Sequence, residues 1–277
     1  MKRTILTLVA AFCTAIVALA AQKRILVNTP EEFINALGSN REIVVCNEEG
    51  LLLTPTIVEM IEKGKLKEFD RWSRARQEGV LYENNTDGPQ LVVSGFKNLT
   101  ICTNSDDRLS IEVTPRYVNV ITFISCENIN LTNLYIGHTD EGYCDNGVLG
   151  FDDCRNINIT NCGLFGCGTE GIELRQSHNF TMTDSEIFHC SYHIMHIYGS
   201  SNCKFLNCAF YQNKEYEQVN IDESSEKILF DHCVFTKNHG VLFNIVSKDV
   251  ILRRCIIQHD GDVGNAFEHD ENSIFAY

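Results

Sequence analysis

Basic residues are scarce in this 277-residue chain: 23 Lys and Arg stand against 37 Asp and Glu, a formal net charge of −14. Such a surface repels a phosphate backbone, so no nucleic-acid partner is expected. A polyanionic glycan is repelled as well unless a metal ion or local basic residues offset the field. Long apolar runs are lacking past Leu19, so no membrane span is expected in the mature chain. There is no CxxC pair and no Cys/His spacing of the zinc-site type, which removes the common structural metal motifs. Among nine histidines only His193 and His196 suggest a metal pair, which keeps a copper-handling role as a minor class.

What is present begins with a targeting pattern. Lys2 and Arg3 precede an apolar run from Ile5 to Leu19 that closes on Ala18-Leu19-Ala20. This reads as a signal peptide over residues 1–20, so an exported protein, periplasmic or extracellular, is expected. Its removal takes two positive charges and no acid, moving −14 to −16.

The stretch from Thr122 to His259 repeats one phrase, with starts at Asn128, Asn156, Asn179, Asn202, Lys227 and Asp249, 28, 23, 23, 25 and 22 residues apart. A period in the low twenties with alternating β-branched and aromatic residues predicts one short-strand coil per repeat, stacked on its neighbours. Counting each start as zero, positions +1 and +3 are apolar, as in Ile157 and Ile159 or Phe180 and Met182, and mark an inward face. Position +5 holds Asn133, Asn161, Asp184 and Asn207, residue types suited to a left-handed bend, and stacking makes them an asparagine ladder. Position −2 is small throughout, from Cys126 and Cys154 to Ser177, Ser200, Ser225 and Ser247, and predicts a tight inner corner.

On these residues the chain resembles the right-handed parallel β-helix proteins of the pectate-lyase-like superfamily, over roughly 91–259. The expected fold class is therefore all-β, a right-handed parallel β-helix in a single domain over 21–277, and a monomer. A capping helix is expected at 29–38, where Thr29, Pro30 and Glu32 form an N-terminal signature and Phe33, Ile34 and Leu37 a stripe. A helical insertion is expected over 54–80, with Trp72 as its anchor, or else with Arg71, Trp72, Arg74 and Arg76 as a basic patch for an acidic sugar. Residues 260–277 are expected to fold over the last coil as the other cap.

Thirteen cysteines in an exported chain suggest disulfides, yet Cys162, Cys208, Cys233 and Cys255 share position +6 and read as small inward hydrophobes. Cys144, Cys167 and Cys190 in loops are better bridging candidates.

In the proteins this chain resembles, substrate lies on the outward face of the strand that precedes the phrase. Here stacking predicts one outward row of Asp152, Arg175, Tyr198 and Asp222 and a second of Glu173, His196 and Asn220. Asp152 and Glu173 lie on adjacent coils two residues out of step, a separation of about 8 Å. Three readings follow. An inverting glycoside hydrolase would use Asp152 and Glu173 as its acid and base. A polyuronate lyase would hold calcium with Asp152, Glu173 and Asp145 and employ Arg175 at the sugar. A non-catalytic solenoid would bind a glycan or a protein on the same face. His196 is a candidate acid/base partner of Glu173, and His193, Tyr198, Asn220 and Asp222 are candidate contacts of a polysaccharide or oligosaccharide. The cofactor is otherwise undefined. Asn85-Thr86-Asp87-Gly88, Asp152-Asp153 and His239-Gly240 match polygalacturonase motifs in order, but 65 residues separate Asp87 from Asp152, too far for convergence.

Overall fold

A computed structural model describes residues 22–73, 75–139, 147–166 and 170–276. The expected signal peptide, Arg74, Asp140, Glu141, Cys144, Asp145 and Cys167 lie outside the described residues.

The chain is a right-handed parallel β-helix whose coils contribute one strand each to three sheets of ten, nine and nine strands. The repeated phrase forms the first sheet, in register: Ile129 pairs with Ile157, Ile157 with Phe180, Phe180 with Cys203 and Cys203 with Ile228. All five are at most 1% exposed, as positions +1 and +3 require. Phenylalanines then stack through the interior: Phe123 on Phe151 at 5.2 Å, Phe180 on Phe205 at 5.4 Å and Phe205 on Phe230 at 4.7 Å between ring centroids. Each buried ring contributes about 1.5–3 kcal/mol of transfer free energy.

Two left-handed bends hold each coil to its neighbours. Position +5 adopts φ between 50° and 59° from Asn133 to Arg254, including His232. The start of the phrase does the same, from Asn98 at 55° to Lys227 at 58°. Both positions carry ladders: Asn156 Nδ2 donates to Asn128 Oδ1 at 2.9 Å and Asn179 Nδ2 to Asn156 Oδ1 at 3.0 Å, while Asn161 Nδ2 donates to Asn133 Oδ1 at 2.7 Å. At the inner corner the buried Ser177 and Ser200 hydroxyls accept the backbone N–H of the preceding coil, from Cys154 and Ser177, at 3.1 Å each. Cys162, Cys208, Cys233 and Cys255 are buried free thiols, and burial pushes Cys162 up to about 11.

Three expectations need correction. The ladders start at Lys23–Val27 and Arg41–Val45 rather than near residue 91, because helix α1 (Pro30–Ala36) and the arm interrupt the period without interrupting the pairing. The insertion over 54–80 is helical only in α2 (Thr54–Glu62). After it come the short strand Lys67–Glu68 and a hairpin of Gly79–Asn85 antiparallel to Gly88–Ser94, which extend the third sheet. Trp72 is 90% exposed, so it anchors nothing. The C-terminal segment adds strands Asp270–Glu271 and Ile274–Ala276 to the first two sheets, making a further partial coil rather than a folded-over cap. Helix α1 itself carries a complete Thr29/Glu32 capping box and buries Phe33 and Ile34.

Candidate functional site

The third sheet places the outward rows. Gly150 pairs with Glu173, Glu173 with His196, His196 with Asn220 and Asn220 with Asn244. Beside this row Asp152 pairs with Arg175 and Arg175 with Tyr198. Asp222 does not extend the row of Asp152, Arg175 and Tyr198. It follows the strand end at Ile221 and its carboxylate accepts Gly199 N–H at 3.1 Å and Ser225 Oγ–H at 2.6 Å, so it braces the corner.

A cavity of about 610 Å³ lies over this face and brings together Asp152, Glu173, Arg175, His193, His196 and Tyr198. A second, of about 390 Å³, continues it past His193, His196 and Tyr198 to Asn220, Asp222 and Asn244. The opposite end is built by residues outside the repeat. Arg71 of the arm grips Glu83 with Nε to Oε1 at 2.8 Å and a terminal nitrogen to Oε2 at 2.7 Å. Gln90 Nε2 donates to Glu83 Oε2 at 2.8 Å, Asn119 N–H donates to Gln90 Oε1 at 3.0 Å, and Asn119 Nδ2 donates to Thr122 Oγ1 at 2.8 Å. The periodic pattern carried no signal for Glu83, Gln90 and Asn119, because register along the arm is set by the hairpin. The basic patch is divided: Arg71 faces this cavity, whereas Arg76 lines another with Lys97 and Arg155. Asp87 spends its carboxylate on the backbone N–H groups of Arg116 and Tyr117, and His239 lines a separate cavity, so the polygalacturonase-like triplet does not assemble. Of that match only Asn85 and Asp152 line the site among the described residues.

The electrostatics separate the two carboxylates. Arg175 binds Glu173 on its own strand, with Nε and a terminal nitrogen 2.7 and 2.5 Å from Oε1. Glu173 Oε2 has no hydrogen-bond partner among the described residues. Asp152 is half-buried, and its side chain makes no hydrogen bond or ion pair among the described residues. Burial raises its pKa, against the opposing fields of Arg175 and then Arg71. Arg175 thus pairs with Glu173, two residues before it on the same strand, rather than with its cross-strand neighbour Asp152.

Arg175 also lies over the Tyr198 ring at 5.2 Å, and the Tyr198 hydroxyl shares a hydrogen bond with His196 Nδ1 at 3.2 Å. Burial first, then the His193 and Arg175 charges, lower His196 to about 3. His196 is thus a neutral imidazole, and its 3.9 Å approach to Glu170 is a dipolar contact rather than an ion pair. Its ring is 4.1 Å from that of His193, which burial also depresses. His193 Nδ1 hydrogen-bonds the Glu217 carbonyl, and Asn220 Nδ2 donates to the same oxygen at 2.8 Å.

Among the described residues no group of three His, Cys, Asp or Glu side chains is placed to hold a metal ion. Of the proposed calcium ligands Asp145 lies outside the described residues, and Arg175 holds one oxygen of Glu173.

A family model described as a right handed beta helix region matches residues 146–276. No curated protein sequence matches the chain. Among solved structures the chain is similar to an alginate lyase from Paenibacillus sp. str. FPU-7, at 10% identity over 91% of this chain and 95% of that one, TM-score 0.54. A candidate glycosyl hydrolase from Parabacteroides merdae is 12% identical over 77% of this chain and 96% of that one, with a TM-score of 0.42. At these identities the first likeness concerns the fold, and the second superposes too loosely to add to it.

Proposed function

We propose that this β-helix is an exported inverting glycoside hydrolase acting on a neutral poly- or oligosaccharide, with Asp152 as general acid and Glu173 as general base. The observation that carries the reading is the asymmetry of the two carboxyl groups. Asp152 is unpartnered and biased by burial toward its protonated form, while Glu173 is bound by a guanidinium through one oxygen and has the other oxygen open. Two acids whose surroundings differ in this way suit opposite roles. Their backbones stand one coil and two residues apart, about 8 Å, within the range that leaves room for a water opposite the leaving group.

In this scheme Asp152 gives its proton to the glycosidic oxygen as the C–O bond breaks. Glu173 Oε2 takes a proton from the water that attacks the anomeric carbon on the other face. The products carry the inverted configuration, and both carboxyl groups return to their starting states by exchange with solvent. Arg175 positions Glu173, and Tyr198, His193 and Asn220 supply stacking and hydrogen-bonding surface for the sugar.

A lyase fits less well. His196 at about 3 is too weak a base to take a sugar α-proton, since a general base works best with a pKa near the operating pH. The two guanidinium groups that line the cavity among the described residues already face carboxylates, Arg71 on Glu83 and Arg175 on Glu173, so among the described residues no free cation lines it for a uronate. The test is release of reducing ends from neutral polysaccharides by the mature protein and its Glu173→Gln variant. Loss of release in the variant, with the fold retained, supports the reading; equal turnover in both refutes it.

A further inference from the structure

The groove is closed at one end and open at the other. On the outward face, Val92 and Ser94 occupy the rows of Glu173 and Asp152 on the Gly88–Ser94 strand, and they are 0% and 2% exposed. The arm packs on the end of this strand: Ser94 Oγ–H donates to the Gln77 carbonyl at 2.6 Å, and a Cβ on Gly95 would meet Glu78 Cγ at 2.9 Å. Between this wall and the coil of Asp152 lies the single strand Ile121–Ile124. On the other side the outward row continues over four coils, through Glu173, His196, Asn220 and Asn244, to the exposed Val246. With about 4.8 Å per coil, the floor offers about 10 Å on the closed side of the Asp152/Glu173 gap, counting the Asp152 coil itself. It offers about 19 Å on the open side.

We infer, resting on the hydrolase reading, that the enzyme is exo-acting: the arm residues 69–73 and 75–78 block the chain path, so a chain end enters the closed pocket and mono- or disaccharides are released. A pyranose unit advances by about one coil spacing, so the closed side holds no more than two. The pocket is furnished for a terminal sugar, whose hydroxyl groups need donors and acceptors on several sides. Glu83, Gln90, Asn119 and Arg71 supply a connected polar lining there, and Asn85 Nδ2, which belongs to the same lining, is buried without a hydrogen-bond partner among the described residues.

The experiment follows viscosity, reducing ends and chromatographic product size together while the wild-type protein digests soluble β-1,4-glucan, xylan, galactan and mannan. The expected result on the accepted polymer is mono- or disaccharide from the earliest samples, no intermediate oligosaccharides and little loss of viscosity. An early fall in viscosity with a ladder of oligosaccharides overturns the exo assignment and leaves the hydrolase reading standing. Failure to produce new reducing ends from every polymer overturns the hydrolase reading and this inference with it. A second protein, in which residues 70–77 are replaced by a short Gly/Ser link, is expected to start producing intermediate oligosaccharides. If it is folded and active yet still releases only mono- or disaccharides, the arm is not the wall.

Discussion

Asn156 offers the sharpest view of how the repeat holds together. Its backbone has φ of 57°, it donates to Asn128 Oδ1 at 2.9 Å and it accepts from Asn179 at 3.0 Å. Asn156→Ala removes both ladder bonds, worth about 1.5 kcal/mol together because one is exposed, and forces a Cβ-bearing apolar residue into the left-handed region, about 1–2 kcal/mol. The sum is about 2.5–3.5 kcal/mol. Asn156→Gly loses the same bonds but avoids the backbone cost, and replaces it with about 0.5–1 kcal/mol of unfolded-state entropy. Glycine should therefore be the milder substitution by about 0.5–1 kcal/mol, the reverse of its usual standing in a strand. Urea denaturation followed by circular dichroism on both variants measures the difference. If alanine is tolerated as well as or better than glycine, the left-handed bend is not what fixes asparagine at this position.

Phe205→Ala, in the middle of the stacked interior, should cost about 3–5 kcal/mol and lower Tm by on the order of 10 °C. Phe267→Ala, at a ring that is 55% exposed on the last coil, should cost under about 1 kcal/mol in the same melts. Folding raises the pKa of Asp152, so the folded chain keeps that proton to higher pH than the unfolded chain does. Stability therefore falls as pH rises from 3.8 through the raised value. Asp152→Asn should accordingly raise Tm at neutral pH while abolishing hydrolysis, with the thermal gain vanishing in acid; a lower Tm at neutral pH would contradict the burial argument. His196 shifts the other way, from 6.5 down to about 3, so its contribution to stability is present above 6.5 and is lost as pH falls toward 3. Its imidazole signals in NMR should stay constant from about pH 8 to about pH 4, and a midpoint near the ordinary histidine value would show that the ring is wet.

The repeat made the first sheet, its inward residues and the outward rows of Asp152, Arg175, Tyr198, Glu173 and His196 legible, because parallel stacking at a fixed period converts spacing directly into register. It was silent wherever the chain leaves the period. The strands Lys23–Val27 and Arg41–Val45 belong to the same ladder, but α1 and the arm separate them from the phrase, so pairing had to be seen rather than counted. Asp222 illustrates a second limit: it stands where the row predicts an outward side chain, yet two neighbouring serines and a backbone N–H capture its carboxylate at the corner. The partition of charge was also invisible, since a row of alternating acids and bases does not say which acid Arg175 will choose. It takes Glu173, two residues away on the same strand, and that choice leaves Asp152 alone in the groove.

Whether Asp152 and Glu173 act as an inverting pair is tested most directly by the configuration of the first product. Hydrolysis of an accepted neutral oligosaccharide in deuterated buffer, followed by proton NMR before mutarotation, reads the new anomeric centre. The anomer opposite to the substrate linkage should appear first. Initial appearance of the retained anomer would contradict the two-carboxylate geometry, and an unsaturated sugar in place of either would contradict hydrolysis altogether.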